Sequence, residues 1–274
     1  MRLSFELTPP YDVDWMLAFL ARRAVAGLER VQGRCYERVT PEGALTLRFS
    51  ARRVEATCPV RADADDLTHR LRAMLGLDVD ARVVDAALSR DPDMAARIAA
   101  GPGLRVPGAW DVFELGVRAL LGQQVSVERG TALVARLLDR FGRRRTDGTV
   151  AFPDATTLAE SDPAVIGIPG RRAQALRAFA AAVAAQRIAG PTLDASALRD
   201  LLADMPGVGP WTREYVAMRA GRDGDAFPEG DWVVLRELGT TPAGARRRAE
   251  VWRPWRAYAV MYLWAAAARR KESR

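Results

Sequence analysis

The stretch that decides the fold is residues 198–220, LRDLLADMPGVGPWTREYVAMRA. Leu198, Leu201, Leu202 and Met205 recur at helical spacing and form one apolar stripe. Pro206 stops that helix, because it lacks an N–H and its ring clashes with the preceding turn. Gly207-Val208-Gly209 predicts a tight turn, since glycine tolerates positive φ and close backbone approach. Pro210 suits the first turn of a second helix that carries Trp211, Thr212 and Tyr215. Two helices joined this way leave bare amides at Gly207, Val208 and Gly209 beside a helix N-terminus. Such amides are fit to hold a DNA phosphate. The same pattern also describes an ordinary corner between helices, so the rest of the chain has to decide.

Composition narrows the classes. The chain has 274 residues, 49% of them hydrophobic, enough for one large domain or two to three small ones, and arguing against disorder. No apolar run reaches bilayer-spanning length, so no membrane partner is expected. The chain opens on an alternating Arg2-Leu3-Ser4-Phe5-Glu6-Leu7 where a secretory signal would need an apolar core, so a soluble, cytoplasmic protein is expected. Cys35 and Cys58 are too few and too far apart for a zinc or iron–sulfur site. The net charge of +7 favours a polyanionic partner, a balance that many proteins share without touching nucleic acid. Lys271 is the only lysine; every other basic residue is arginine.

Periodicity changes along the chain. After the opening strand, residues 15–25 are helix-periodic, and β-like runs follow at 35–40, 44–50 and 54–60. Pro41-Glu42-Gly43 predicts a hairpin between the first two runs. From Asp63 onward nearly everything has a 3.6 period. Asp111 caps a helix running to 124, and Ser126 caps the next, ending near Gly142. Further helices are predicted at 171–187, 196–205, 211–220, 242–252 and 255–270, with loops at 101–108, 143–153 and 221–230. The pattern is a small α+β unit followed by a larger helical remainder, whose layers would leave a cleft for a site.

The hairpin, followed eleven residues later by Asp231, resembles the helix–hairpin–helix DNA glycosylase superfamily. Pro9-Pro10-Tyr11-Asp12, Met16-Leu17, Phe19-Leu20, Arg23-Ala24-Val25, Phe113-Glu114, Gly122-Gln123, Val125-Ser126-Val127, Trp211-Thr212 and Trp252-Arg253-Pro254-Trp255-Arg256 narrow the resemblance to its bacterial 3-methyladenine glycosylase II (AlkA-like) branch. The resemblance covers nearly the whole chain in order. It implies an α+β protein: a small antiparallel sheet with helices at 1–88, then a two-lobed all-α helix–hairpin–helix region with a central cleft at 89–274. In that scheme 112–223 form the central lobe, with the hairpin at 205–211, and 89–111 with 224–274 form the second.

The resemblance also implies roles. Asp231, in Phe227-Pro228-Glu229-Gly230-Asp231-Trp232, would be the catalytic carboxylate, stabilising the oxocarbenium-like transition state of base excision and orienting water. On the residues alone its place before a helix reads first as an N-cap. Glu229 stands two residues earlier, where an adjacent aspartate is expected, and is a second candidate. Bifunctional relatives carry a Schiff-base lysine where this chain has Trp211, so direct hydrolysis without strand cleavage is expected. Trp211 and Tyr215 share a helix face, and Phe19, Trp232 and Trp264 are expected to approach them across the cleft; electron-rich rings suit a cationic alkylated base. As residues alone, such aromatics equally read as core. Gln123 and Gln124 occupy the loop that fills the gap left by a flipped base, with Gln124 where leucine is expected. Gly207, Val208, Gly209 and Thr212 would contact DNA. No cofactor and no catalytic metal are expected; the backbone carbonyls of Ala203, Met205 and Val208 would hold a structural monovalent cation. The expected partner is double-stranded DNA containing damaged bases, met by a monomer.

Two other classes fit parts of the sequence. Asp223, Asp225, Glu229 and Asp231 could serve a magnesium-dependent nuclease. The hairpin alone could belong to a non-catalytic module that senses damaged DNA. Only two cysteines, both early, argue against the glycosylase branches that carry a four-cysteine cluster near the C-terminus.

Overall fold

Alternating burial builds the N-terminal sheet. In the computed structural model, which describes residues 1–59, 62–185 and 194–272, β1 (Arg2–Glu6) is followed by α1 (Val13–Ala21), β2 (Glu29–Gln32), β3 (Cys35–Thr40), β4 (Gly43–Phe49) and β5 (Arg53–Thr57). The five strands are antiparallel in the order β1-β5-β4-β3-β2. Pairs such as Phe5 with Val54 and Tyr36 with Leu47 set the register and keep the apolar residues on one face. That face packs against Met16, Leu17 and Leu20 of α1 and against Leu67, Leu71 and Met74 of α2 (Ala64–Leu75).

Asp12 caps α1 through Trp15 N at 2.8 Å, so the helix covers 13–21 and not the expected 15–25. The edge strand β2 is an addition to the expected set; Glu-Arg-Val-Gln is too short and polar to announce itself. Val60, at the end of the expected strand 54–60, and Gln186 and Arg187, at the end of the expected helix 171–187, lie outside the described residues.

The helical remainder comprises α3 (Ala81–Leu88), α4 (Pro92–Ala99), α5 (Val112–Leu121), α6 (Val127–Phe141), α7 (Ala155–Glu160), α8 (Gly170–Ala184), α9 (Ala195–Ala203), α10 (Pro210–Arg219), α11 (Trp232–Leu238), α12 (Pro242–Ala249) and α13 (Arg256–Glu272). Asp111 caps α5 and Ser126 caps α6 as expected, but α5 ends at Leu121, where Gly122 begins the turn. Residues 250–252 continue α12 as a single 3-10 turn. The region is not purely α: β6 (Arg143–Arg144) and β7 (Val150–Ala151) pair as a short ribbon inside the expected loop 143–153.

The sheet and the helices meet through a buried ionic network. Arg38 on β3 donates to Glu114 on α5 at 2.7 Å, and Arg118, one turn on, bonds Glu114 and Glu29 at 2.8 and 2.6 Å. Burial works against the charged form of Glu114, but Arg38 and Arg118 outweigh it and hold the carboxyl below its ordinary range. Arg118 Nη1 also donates to the backbone oxygen of Arg23 at 2.9 Å. The N-terminal unit thereby fixes the end of α1 against the helix that leads to the 122–126 loop.

Candidate active site

Four helices bring the expected residues together. Asp231 is the N-cap of α11, and its Oδ1 accepts from the amides of Val233 and Val234 at 3.0 and 3.1 Å. The capping geometry read from the sequence is therefore present, but it uses only one oxygen. Oδ1 also accepts the indole N–H of Trp264 from α13, and Oδ2 accepts that of Trp211 from α10, both at 3.0 Å. Among the described residues Asp231 is buried and makes no salt bridge, so no fixed cation neutralises it. One lone pair of Oδ2 is left over when these four donors are counted.

Around the carboxylate stands an aromatic wall. Trp211 stacks on Tyr215 with centroids 4.9 Å apart and an interplanar angle of 15°, the outcome of their four-residue spacing on α10. Trp264 lies 6.3 Å from Tyr215 and 6.5 Å from Phe19 of α1. Trp211 and Trp264 are half-buried and form the open edge, while Tyr215 and Phe19 are buried behind them. Trp232 does not join. As the first helical residue after the cap it points outward, is 68% exposed, and takes the Arg236 guanidinium over its ring at 4.6 Å. It lines a separate surface groove with Leu235, Gly239 and Thr240.

Two arginines that the sequence reading did not single out complete the wall. Arg219 is buried, donates to the Tyr215 hydroxyl at 2.7 Å, and holds the carbonyls of Pro107 and Gly108 at 2.8 and 2.9 Å. Arg23 lies with its guanidinium 3.7 Å over the Phe19 ring and 5.8 Å from that of Trp264. Burial opposes ionisation of Tyr215, yet the charges of Arg219 and Arg23 prevail and bring its hydroxyl below the usual phenol range. Burial pushes Arg23 down to about 10, which leaves it cationic at neutral pH. A signal was available: Phe19 with Arg23, and Tyr215 with Arg219, are each four residues apart.

The hairpin has the predicted shape, with α9 and α10 joined through Gly207 at φ +78°. A Cβ at Gly207 would lie 2.8 Å from that of Ala175, so both conformation and space require glycine. Gly209 caps α10 without any side-chain bond, leaving the first amides free of a side-chain acceptor. Gln123 does not reach outward. Its Nε2 donates to Gly207 O and to Thr212 Oγ1, both at 2.9 Å, and Arg172 holds its carbonyl. Thr212 is buried, so this pair locks the 122–126 loop to the hairpin where direct DNA contact was expected. Gln124 is exposed at the tip with φ +57°, a left-handed backbone that costs a non-glycine residue about 1 kcal/mol or more.

The acidic residues before Asp231 do not converge. Arg199 bonds Glu214 and Asp223 at 2.6 Å, Arg256 and Arg253 bond Asp225 at 2.8 and 3.0 Å, and Glu229 pairs with Arg246. These pairs pin the 221–230 loop and direct the carboxylates to separate arginines. Neither the magnesium-nuclease reading nor Glu229 as a second catalytic acid finds support in this arrangement. Among the described residues no helix is long and apolar enough to cross a membrane.

Comparison with known proteins gives the same frame. Residues 1–111 match the model of the AlkA N-terminal domain. The chain is 36% identical over 272 residues to DNA-3-methyladenine glycosylase 2 of Escherichia coli, covering 93% of this chain and 94% of that protein. The fold superposes on a 3-methyladenine DNA-glycosylase from Archaeoglobus fulgidus with a TM-score of 0.80, at 20% identity, covering 95% of this chain and 97% of the other. It also superposes on the Clostridium acetobutylicum 8-oxoguanine glycosylase/lyase bound to double-stranded DNA, with a TM-score of 0.75 at 15% identity and 98% of each chain covered. Identity and coverage together place this chain in the AlkA, or DNA-3-methyladenine glycosylase 2, family.

Proposed function

We propose that the chain is a monofunctional DNA glycosylase that hydrolyses the N-glycosidic bond of alkylated bases in duplex DNA, acting as a monomer in the cytoplasm and leaving an abasic site. The observation that carries the mechanism is Asp231: buried, free of any salt bridge among the described residues, and held by two indole N–H groups of the wall that would take the base.

The sequence of events follows from the residues. The amides of Gly207 and Gly209 grip a phosphate and set the register of the duplex, while that of Val208, expected bare, closes the turn onto the Met205 carbonyl. Gln124 enters the stack as the damaged nucleotide swings out, and its amide can bond the orphaned partner base. Trp211 and Trp264 receive the flipped base, with Tyr215 and Phe19 behind; electron-rich rings favour a cationic 3-methyladenine or 7-methylguanine. Such bases are already activated for departure. As the C1′–N bond breaks, positive charge grows on the sugar, and the uncompensated carboxylate of Asp231 stabilises it in a site with little water. The spare lone pair on Oδ2 orients the attacking water, which closes the reaction as hydrolysis. With Trp211 in the lysine position, no imine forms. The carbonyls of Ala203, Met205 and Val208, on a turn closed by Val208 N–H to Met205 O at 3.2 Å, would hold a monovalent cation that stiffens the hairpin.

The test is to incubate the protein with duplexes bearing 3-methyladenine, 7-methylguanine, hypoxanthine or an etheno-adduct and to identify the free base by chromatography. Release of an alkylated purine is expected. No release from any alkylated duplex would overturn the proposal.

A further inference from the structure

The aromatic wall contains one positively charged group with donors to spare. Arg219 spends its donors on the carbonyls of Pro107 and Gly108 and on the Tyr215 hydroxyl, and is sealed behind that ring. Arg23 differs. Its Nη1 reaches the Phe19 carbonyl only at 3.4 Å, its guanidinium also faces the Tyr215 hydroxyl, and the residue is half-buried. Among the described residues none of its nitrogens is both sealed from solvent and without a partner, and its five N–H groups outnumber these two acceptors. The guanidinium is 3.7 Å from the Phe19 centroid and 5.8 Å from that of Trp264, while the rings themselves are 6.5 Å apart with an interplanar angle of 19°. It therefore stands at the edge of the gap between two nearly parallel rings. Stacking on Phe19 from one turn away fixes its plane, and Arg118 fixes its backbone through the Arg23 carbonyl at 2.9 Å.

We propose that Arg23 is a specificity-determining residue that donates to a carbonyl acceptor on the flipped base, favouring purines with an oxygen at position 6 over those with an amine there. The inference rests on the glycosylase reading above. A guanidinium offers five donors and no acceptor. Guanine and hypoxanthine present an oxygen at position 6, which remains after methylation at N7, whereas adenine presents an N–H donor there. A donor facing a donor leaves both unpaired in a dry site, and that loss is what discriminates. The positive charge of Arg23 does not: 7-methylguanine and 3-methyladenine are both cations, so its repulsion cancels in their ratio.

One methylated duplex preparation carries both lesions and gives an internal comparison. Initial rates of release of 7-methylguanine and 3-methyladenine are measured for the wild type, Arg23→Met and Arg23→Lys. Methionine keeps an apolar stem over Phe19 without any donor; lysine keeps the charge without the planar fork. The ratio of 7-methylguanine to 3-methyladenine should fall about tenfold in Arg23→Met and by less in Arg23→Lys. Hypoxanthine release should fall in parallel with 7-methylguanine. Equal loss of both methylated bases, or a raised ratio, would overturn the proposal and leave Arg23 a packing partner of Phe19. Failure of the wild type to release either base is a separate result that removes the glycosylase reading and this one with it.

Discussion

The indole nitrogen of Trp211 lies 3.0 Å from Oδ2 of Asp231, so the ring offered to the base and the carboxylate offered to the sugar form one hydrogen-bonded unit. Trp264 closes the same unit through Oδ1. Oδ1 has two backbone amides besides its indole; Oδ2 has Trp211 alone. Trp211→Phe keeps a stacking ring but frees Oδ2. Single-turnover excision should slow about tenfold, the worth of one hydrogen bond to a charged group, with the KM for duplex little changed. Trp264→Phe should cost less, because the cap still fixes Oδ1.

The hydrolytic outcome has its own test. Trp211 fills the position where a nucleophilic amine would stand, and Lys271 lies exposed at the end of α13, 3.7 Å from Glu128. Incubation with an abasic duplex and borohydride should yield no covalent protein–DNA product, and the abasic strand should stay intact on a denaturing gel. A stoichiometric trapped complex would contradict this.

At the loop tip, Gln124 sustains φ +57°. Gln124→Gly relieves that backbone and removes the plug. Thermal melting should show a gain of about 0.5–1 kcal/mol, offset in part by glycine's greater unfolded-state entropy. Excision from duplex should drop, while excision of the same lesion from single-stranded DNA should not, because no stack has to be filled there.

Glu114 joins the sheet to the helices while buried between Arg38 and Arg118. Its carboxyl sits below the ordinary glutamate value of 4.5, so it contributes stability that is complete above that pH and is lost as pH falls through the depressed folded value. Glu114→Gln should destabilise by about 3–5 kcal/mol at pH 7, since two buried guanidiniums lose their shared partner. The variant should also show a flatter stability profile on acidification, measured by urea melts from neutral pH to well below pH 4.

Much of this was written in the chain. The Pro206–Pro210 turn, the caps at Asp111 and Ser126, and the pairing of Trp211 with Tyr215 are local, and spacing alone announces them. The strand Glu29–Gln32 was illegible because its polar residues are stabilised by a partner strand and by a buried network that forms only in the fold. Trp232 was misplaced for a related reason: a cap fixes the direction of Asp231, and its neighbour then faces elsewhere. Gln123 and Thr212 read as DNA contacts by position, yet they meet each other across two elements far apart in sequence. Arg23 enters the sequence reading only within Arg23-Ala24-Val25, without a site role, because its place beside Trp264 exists only once α1 has packed against α13.

The most direct test of the central claim is Asp231→Asn, with binding and chemistry measured separately. Asparagine keeps an oxygen for the Val233 and Val234 amides, so the helix cap and the fold should survive. The account predicts near-unchanged affinity for a duplex bearing a lesion and loss of base release under single-turnover conditions by about a hundredfold or more. Excision at the wild-type rate by a folded Asp231→Asn protein would contradict it and leave the hairpin as a DNA-binding device served by some other catalyst.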